Sequence, residues 1–226
     1  MNIESDKIGV TSFTNIAGDY SYKLRFSHSS LNLGFQLGVG FTNSNLTSVV
    51  YGESGPVDPA FQNNYQVTLP IFGFGIYYYS DKFFAGVSVP QIAGSSIQKA
   101  FYGSSDNINL DLANHYFLYT GYLLNLSSDI RMKPSVLLKY VNGAPIEIDV
   151  NCIFWFYDVV ALGFSYRSLA SMDLLAQIRL SSQLYLGYAY EYPTTALSTF
   201  SSGSHEIMLQ YLFDFSRAKI ITPRYF

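Results

Sequence analysis

The sequence has few charged residues, one cysteine, one tryptophan and no long apolar run. Charged residues make up 13% of its 226 residues, about half the share found in an ordinary soluble domain. The single cysteine, Cys152, excludes an internal disulfide and a thiolate metal cluster. The formal net charge of −3 excludes the basic surface that nucleic-acid binding requires. No stretch approaches the roughly 20 consecutive apolar residues of a membrane helix.

Apolar and aromatic residues are, by contrast, abundant. Hydrophobic residues make up 49% of the chain, with 20 Tyr and 18 Phe. This excess of Tyr and Phe suits long strands and the aromatic girdles of membrane barrels better than helices. Only helices and closed barrels satisfy every backbone group in lipid, so an apolar chain without a membrane helix points to a β-barrel.

Apolar and polar residues alternate with period two along most of the chain, which predicts β-strands. Between 130 and 140, for example, Arg131, Lys133 and Lys139 fall on one face, opposite Val136 and Tyr140. A soluble β-sandwich alternates as well. A barrel is favoured because the polar face is rich in Gly, Ser and Ala and the strands exceed the usual five or six residues. We therefore predict an all-β, antiparallel transmembrane β-barrel with about eleven strands, near 10–26, 31–42, 70–80, 83–90, 113–126, 130–140, 146–156, 159–167, 171–181, 184–192 and 205–215.

The connections between these strands alternate between tight turns and other, more variable loops. The tight turns are predicted near 27–29, 81–82, 127–129, 157–158 and 182–183, and the other loops near 44–69, 91–112, 141–144, 168–170 and 193–204. Long loops on one side only are typical of a membrane barrel with its short turns in the periplasm. One barrel domain then spans residues 1–226 and ends in a periplasmic tail, residues 216–226.

The N-terminus, residues 1–7, has neither the basic segment nor the apolar segment of a signal peptide. The predicted strand number is odd, whereas single-chain bacterial barrels usually have an even number. We therefore expect a chain that lacks its signal peptide and first strands, from a parent barrel of about 14 strands in the bacterial outer membrane.

A set of charged residues on the polar face is the strongest candidate site. Both signs interleave, and Lys139 and Lys133 are expected to face Glu147 and Asp149 on the next strand. Such a set makes either a selective channel or binding lumen, or an internally paired wall, and the mixture of signs favours internal pairing. Its members are Asp19, Lys23, Arg25, Arg131, Lys133, Lys139, Glu147, Asp149, Arg167, Asp173, Arg179, Glu191, Glu206 and Asp214.

No motif for catalysis or for a cofactor emerges, so we predict that the chain is not an enzyme. His205 lies beside Glu206, but alternation along a strand would point the two side chains to opposite faces. Ser204 near His205 would suit a hydrolase, yet no carboxylate is placed to orient the histidine. The three histidines do not have the sequence spacing of metal ligands; they are His28, His115 and His205.

Nine short stretches match one known family in order and spacing. They are DKIGVT (6–11), GDY (18–20), DPAF (58–61), FGFGIYYY (72–79), VSVP (87–90), KPSVLLKY (133–140), GYAY (187–190), SGSHEIML (202–209) and TPRYF (222–226). The chain therefore resembles the PorP/SprF family of type IX secretion system outer-membrane proteins, from about residue 6 to residue 226. Members of that family carry a signal peptide and further strands ahead of the position of Met1.

The resemblance implies an outer-membrane component that helps to secrete or display large surface proteins, such as the adhesins of gliding bacteria. Its implied partners are outer-membrane lipids, the C-terminal domains of secreted cargo and periplasmic components of the secretion system. A passive outer-membrane solute channel stays open as an alternative, and an outer-membrane hydrolase as a third.

Two segments are candidates for contact with these partners. The 57–61 loop is expected to touch cargo, although an Asp-Pro pair also starts an ordinary turn. The C-terminal tail is expected to contact a periplasmic partner. The candidate residues are Asp58, Pro59 and Phe61 in the loop and Pro223, Arg224, Tyr225 and Phe226 in the tail.

Overall fold

The computed structural model describes residues 1–48, 62–92 and 113–213. These residues form thirteen strands and two short 3₁₀ turns, Leu46–Ser48 and Ala196–Thr199, and none of them is α-helical. The strands are β1 (Asn2–Ile8), β2 (Thr11–Arg25), β3 (Ser29–Ser44), β4 (Tyr65–Ser80), β5 (Phe83–Val89), β6 (His115–Tyr122), β7 (Leu124–Asn125), β8 (Ile130–Val141), β9 (Glu147–Phe156), β10 (Val160–Arg167), β11 (Ser171–Arg179), β12 (Leu184–Pro193) and β13 (Ser204–Tyr211). Within the described ranges, no helix is long and apolar enough to cross a membrane.

Strand order in the sheet follows the order of the chain. The sequence of neighbours is β1-β2-β3-β4-β5-β6-β8-β9-β10-β11-β12-β13, and the two-residue β7 also pairs with β8. Neighbouring strands run antiparallel, as in β8 with β9 and β10 with β11. The predicted fold class is confirmed, because the chain is all-β and antiparallel, as a barrel requires.

All eleven predicted strands are present, and the structure adds two short ones. The alternation did not predict β1, because its polar residues fall on both faces and every residue of β1 is exposed. β7 arises because the predicted 113–126 strand is interrupted at Leu123, whose N–H is donated to the carbonyl of Lys82. β4 also begins at Tyr65, earlier than predicted.

The chain divides into two compact units, described separately below. The first unit consists of Met1–Leu24, Asn32–Ile76 and Ser88–Tyr116. The second consists of Arg25–Leu31, Tyr77–Val87 and Phe117–Phe226. The single domain predicted for residues 1–226 stays a prediction, and the predicted tail, residues 216–226, lies outside the described residues.

In the first unit, the β1–β2 hairpin turns at Gly9, whose φ of 60° favours glycine. The hairpin is anchored to the end of β3, because the hydroxyls of Thr11 and Ser44 lie 2.7 Å apart and Ser44 is fully buried. Further along β3, a Cβ at Gly38 would lie 2.8 Å from the Cβ of Ala17. Gly38 is therefore a point of close approach between β3 and β2.

In the second unit, the β9–β10 hairpin is closed by a tight turn at Tyr157 and Asp158. Their φ values of 52° and 55° are the left-handed pair of a type I′ turn, which matches the twist of the two strands. The N–H of Val159 donates to the carbonyl of Phe156 across the turn at 3.0 Å. The Asp158 carboxylate forms an ion pair with Arg131 on β8, which offsets the cost of the left-handed backbone.

We predict that Gly38→Ala lowers the free energy of unfolding by about 1–3 kcal/mol, because the added methyl group overlaps Ala17. Gly18→Ala is the matched control. The nearest atom to a Cβ at Gly18, apart from atoms of the two residues next to it in sequence, would be 3.9 Å away. Guanidinium unfolding in detergent micelles, followed by Trp155 fluorescence, measures both. Equal loss of stability in the two variants would contradict the close approach.

Candidate functional site

The six strands β8 to β13 of the second unit have one polar and one apolar face. Register places Lys133, Ser135 and Lys139 of β8 on the same face as Asp149 of β9 and Arg167 of β10. We call this side the polar face and the opposite side the apolar face. The polar face continues through Ser171 and Asp173 on β11, Gly187 and Ala189 on β12, and Glu206 and Met208 on β13.

Burial on these two faces is inverted relative to a water-soluble sheet. On the polar face, Lys133 is only 9% exposed and Asp149 only 4%. On the apolar face, Phe164 is 45% and Leu174 is 59% exposed. A soluble domain would bury the apolar side chains instead, so the exposed face is suited to an apolar solvent.

Ion pairs tie three strands together at one end of the polar face. The ammonium of Lys139 lies 2.6 Å from Glu147 and 2.9 Å from Asp149. On the other side of β9, the Nε of Arg167 lies 3.2 Å from Asp149 and 3.5 Å from Glu147. We call these four residues the ionic cluster. Asp149 is its centre, because this buried carboxylate is shared between a cation of β8 and a cation of β10.

Further carboxylates extend the ionic cluster along the same edge. Glu191 of β12 lies 3.9 Å from the guanidinium of Arg167, and its side chain is 46% exposed. Asp173 of β11 lies opposite Glu191 in register and accepts a hydrogen bond of 2.9 Å from Ser171. This end of the polar face carries the β8–β9, β10–β11 and β12–β13 connections.

Lys133 is placed differently from the prediction, which expected it to face Glu147 or Asp149. It lies opposite Ile153, and its ammonium lies 5.3 Å from the ring centre of Trp155 and 5.8 Å from that of Phe84. The reason is that the β8–β9 register pairs Lys139 with Glu147, so Lys133, six residues earlier in β8, lies beyond the level of Asp149. A cation over two aromatic faces gains electrostatic stabilisation that replaces part of its hydration.

Lys133 belongs to a group of large side chains on five neighbouring strands. Phe84 of β5 is fully buried, and its ring centre lies 5.0 Å from that of Tyr119 on β6 and 6.2 Å from that of Tyr77 on β4. We call Tyr77, Phe84, Tyr119, Lys133 and Trp155 the aromatic–lysine cluster. Residue periodicity did not predict the aromatic members of this cluster.

The remaining predicted charges of the second unit lie apart from the ionic cluster. Arg179 is at the other end of β11, opposite Tyr185, and Arg131 pairs with Asp158 at that same end of β8. Glu206 lines a hollow of about 180 Å³. The hollow forms because small residues line the polar face there, namely Ala161, Gly163, Gly187 and Ala189.

His205 and Glu206 lie on opposite faces of β13, as strand geometry predicts. His205 is on the apolar face, where its Nδ1 lies 2.7 Å from the hydroxyl of Tyr188 and its ring 5.0 Å from that of Tyr190. Its hydrogen-bond partner is therefore a tyrosine, and the arrangement is that of an aromatic belt rather than a catalytic dyad. Across the described ranges, no three His, Cys, Asp or Glu side chains converge on a possible metal position.

In the first unit, one predicted charge has a hydrogen bond to a neighbouring strand. Asp19 of β2 accepts a hydrogen bond of 2.9 Å from the side-chain amide of Gln36 on β3. The predicted partner-binding residues lie outside the described residues, as does the predicted polar-face residue Asp214. The partner-binding residues are Asp58, Pro59, Phe61, Pro223, Arg224, Tyr225 and Phe226.

Comparison with known proteins identifies a family. The model of a family described as type IX secretion system membrane protein PorP/SprF matches residues 1–211, which is nearly the whole chain. No curated protein matches the chain.

We predict that Asp149→Asn lowers the free energy of unfolding by about 2 kcal/mol, because Lys139 and Arg167 lose their shared buried carboxylate. The loss stays below the roughly 3–5 kcal/mol of a fully isolated buried pair, since Glu147 remains within reach of both cations. Glu191→Gln is the control, and its half-exposed carboxylate should leave stability within about 0.5 kcal/mol of wild type. Chemical unfolding in detergent micelles measures both, and an effect of Asp149→Asn no larger than the control would contradict the central role of Asp149.

Proposed function

Because the chain belongs to the PorP/SprF family of type IX secretion system membrane proteins, we propose that it lies in the bacterial outer membrane and assists secretion of large cargo proteins. The cargo would include surface proteins such as gliding adhesins. The match over residues 1–211 is the observation that carries this proposal. In this role the protein binds other proteins and performs no reaction of its own.

The inverted burial of the second unit supports a position within a membrane. Its strands β8 to β13 have 8 to 12 residues each, close to the roughly 9–11 residues of a tilted membrane strand. In such a barrel the apolar face contacts lipid chains and the polar face lines the interior. The ionic cluster and the charges of Arg179, Asp173 and Glu206 would then be interior charges, mostly held by opposite charges or polar neighbours.

The aromatic side chains of the apolar face support the same placement. Tyr166 and Tyr192 both lie opposite Met172 in register, so they share one level of the sheet near the longer connections. Tyrosines at one level are typical of the interface between lipid chains and headgroups. The longer connections would then face the cell exterior.

Family membership implies contact with the membrane and with other secretion components. We propose three kinds of partner: outer-membrane lipids on the apolar face, C-terminal domains of secreted cargo at the loops, and periplasmic secretion components at the C-terminal tail. Asp58, Pro59 and Phe61 are the proposed cargo contacts. Pro223, Arg224, Tyr225 and Phe226 are the proposed periplasmic contacts.

A passive outer-membrane solute channel is the second candidate. The hollow of about 180 Å³ and the small residues that line it favour this role, since open space on the interior face is what a channel needs. The two candidates differ in their measurable output, which is protein secretion for the first and solute flux for the second.

The single tryptophan provides a test of the membrane placement. Trp155 lies on the polar face, so its fluorescence should be quenched only weakly by lipids that carry bromine on their acyl chains. The matched reporter is Leu162→Trp in a Trp155→Phe background, because Leu162 is 48% exposed on the apolar face and its neighbour Ala161 lies opposite Trp155. This reporter should be quenched several-fold more strongly in the same vesicles. Comparable quenching of the two tryptophans would contradict an interior polar face.

The secretion role and the tail are tested in one strain that lacks the gene. We expect this strain to release less type IX cargo into the medium and to regain secretion when the wild-type gene is restored. A gene without codons 222–226 should give a folded membrane protein, judged by heat-dependent gel mobility, but should not restore secretion. Normal secretion without the gene would refute the proposed function, whereas full rescue by the shortened gene would refute only the role of the tail.

A further inference from the structure

We propose that one row of polar side chains on the first unit binds the anionic phosphate headgroup of a membrane lipid. The row consists of Lys7 of β1, Ser12 of β2, Asn43 of β3 and Gln66 of β4, all within the first unit. We call it the polar row. The inference rests on the proposed function only for the position of these strands in a membrane, and it names the class of lipid that one part of the surface selects.

The strands β1 to β4 have two sides that differ in burial. On one side, Ala17, Val67 and Ile71 are buried, and we call this the inward side. On the other side, which we call the outward side, Tyr20 and Phe35 are exposed. Side chains alternate along each strand, so the outward side can be followed residue by residue.

Contacts between β1, β2 and β3 bring three members of the polar row together. Lys7 lies opposite Ser12 in the β1–β2 register. The hydroxyl of Ser12 donates to the backbone carbonyl of Asn43 at 3.4 Å. In the adjacent pair, the hydroxyls of Thr11 and Ser44 lie 2.7 Å apart and Ser44 is fully buried. Thr11 and Ser44 therefore point inward, and their neighbours Ser12 and Asn43 point outward.

The fourth member comes from β4 by the pairing of β4 with β3. Gln36 of β3 lies beside Gly73 of β4, since a Cβ at Gly73 would be 3.1 Å from the Cβ of Gln36. The pairing continues to the end of both strands, where β3 ends at Ser44 and β4 begins at Tyr65. Gln66 is therefore level with Asn43, and both side chains are exposed.

The outward side changes from apolar to polar just before the polar row. Its successive levels toward the row carry Tyr20, Phe35 and Phe74, then Leu37 and Phe72, then Ile16, Val39 and Pro70, and then Thr14, Phe41 and Thr68. β1 changes in the same way, since Ile3 lies opposite Ile16 and Ser5 opposite Thr14. The apolar band of a membrane protein ends in this manner where lipid chains give way to headgroups. The polar row therefore lies at the level of the headgroups.

The charge of Lys7 selects the kind of headgroup. Among the described residues of the first unit, Lys7 is the one charged side chain that β1 to β4 carry on the outward side. Glu4 and Asp6 lie on the inward side of β1, opposite Asn15 and Phe13. An exposed ammonium just above an apolar band attracts anionic lipid, while its methylene stem lies along the apolar surface.

The rest of the polar row supplies neutral hydrogen-bond donors beside this charge. The side-chain amides of Asn43 and Gln66 are exposed at the same level as Lys7. An ammonium flanked by amide N–H groups matches the oxygens of a phosphate, because charge-assisted hydrogen bonds to phosphate are strong. A lipid fits better than a free phosphate ion, since its acyl chains would also cover the exposed ring of Phe41 one level below.

The experiment places a tryptophan directly below the polar row. Phe41→Trp in the Trp155→Phe background is refolded into phosphatidylcholine vesicles that contain a minor fraction of lipid with brominated acyl chains. The brominated lipid is either phosphatidic acid, whose headgroup is an anionic phosphate, or phosphatidylcholine at the same mole fraction. Bromine quenches at contact, so the ratio of the two quenching constants reports which lipid collects beside Lys7. We expect phosphatidic acid to be enriched about fivefold, the effect of one lysine near a lipid surface.

Three further samples assign the enrichment to the polar row. Lys7→Gln should make the two brominated lipids quench equally. Asn43→Ala/Gln66→Ala should lower the enrichment, because two amide donors are lost. Lys82→Gln is the matched control, since Lys82 follows the opposite end of β4 and is far from the reporter along the strand. This control should keep the full enrichment.

Four outcomes would overturn the inference. They are equal quenching by the two lipids when Lys7 is present, enrichment that persists in Lys7→Gln, enrichment that is unchanged in Asn43→Ala/Gln66→Ala, and enrichment that inorganic phosphate abolishes although chloride at the same ionic strength does not. The last result would assign the row to a free anion. Absence of quenching by either lipid would instead refute the membrane position itself, and the secretion assay in the deletion strain is independent of all these results.

Discussion

The exposed apolar face of the second unit is the constraint on which its other features depend. Side chains such as Phe164 and Leu174 can remain uncovered only in an apolar solvent, and such a solvent forbids unpaired backbone groups. The strands must therefore pair continuously, as the registers from β8 to β13 do. With lipid on one side, every charge is directed to the other side, where charges must pair or find aromatic neighbours.

The polar face meets this requirement in two different ways. At the end that carries the β8–β9 and β10–β11 connections, Lys139 and Arg167 share the buried carboxylate of Asp149, so each charge is compensated by a neighbouring strand. Nearer to the tight turns, Lys133 lies over the rings of Phe84 and Trp155. The first arrangement is polar and holds three strands together, whereas the second is largely apolar and fills space. The same face is thus held by ion pairs at one end and by aromatic contacts further along.

The alternation of residue types predicted most of the strands and, from β8 to β13, the shared face of their charged residues. It missed β1, whose polar residues do not alternate with apolar ones, and the first part of β4, where Pro70 resembles a boundary because it lacks an N–H. Partners across strands were predictable only in part. The pairing of Lys139 with Glu147 was predictable because a short connection between the two strands fixes their register. The contact between Phe84 and Lys133 was not predictable because the two residues are far apart in sequence. Contacts of that kind depend on the curvature of the sheet, which residue periodicity does not encode.

The sequential order of the strands also has a consequence for how the molecule assembles. Each strand can add to the one before it, and connections such as the three residues between β10 and β11 make that step local. The β3–β4 connection is longer, at twenty residues, and raises the entropic cost of closing the loop by about 1.7 kcal/mol relative to three residues. Assembly would therefore advance fastest through the hairpins from β8 to β13, which form a C-terminal nucleus. The strands joined by long loops would join that nucleus later, and the delay would extend the time for which their edges stay open to a chaperone or to the insertion machinery.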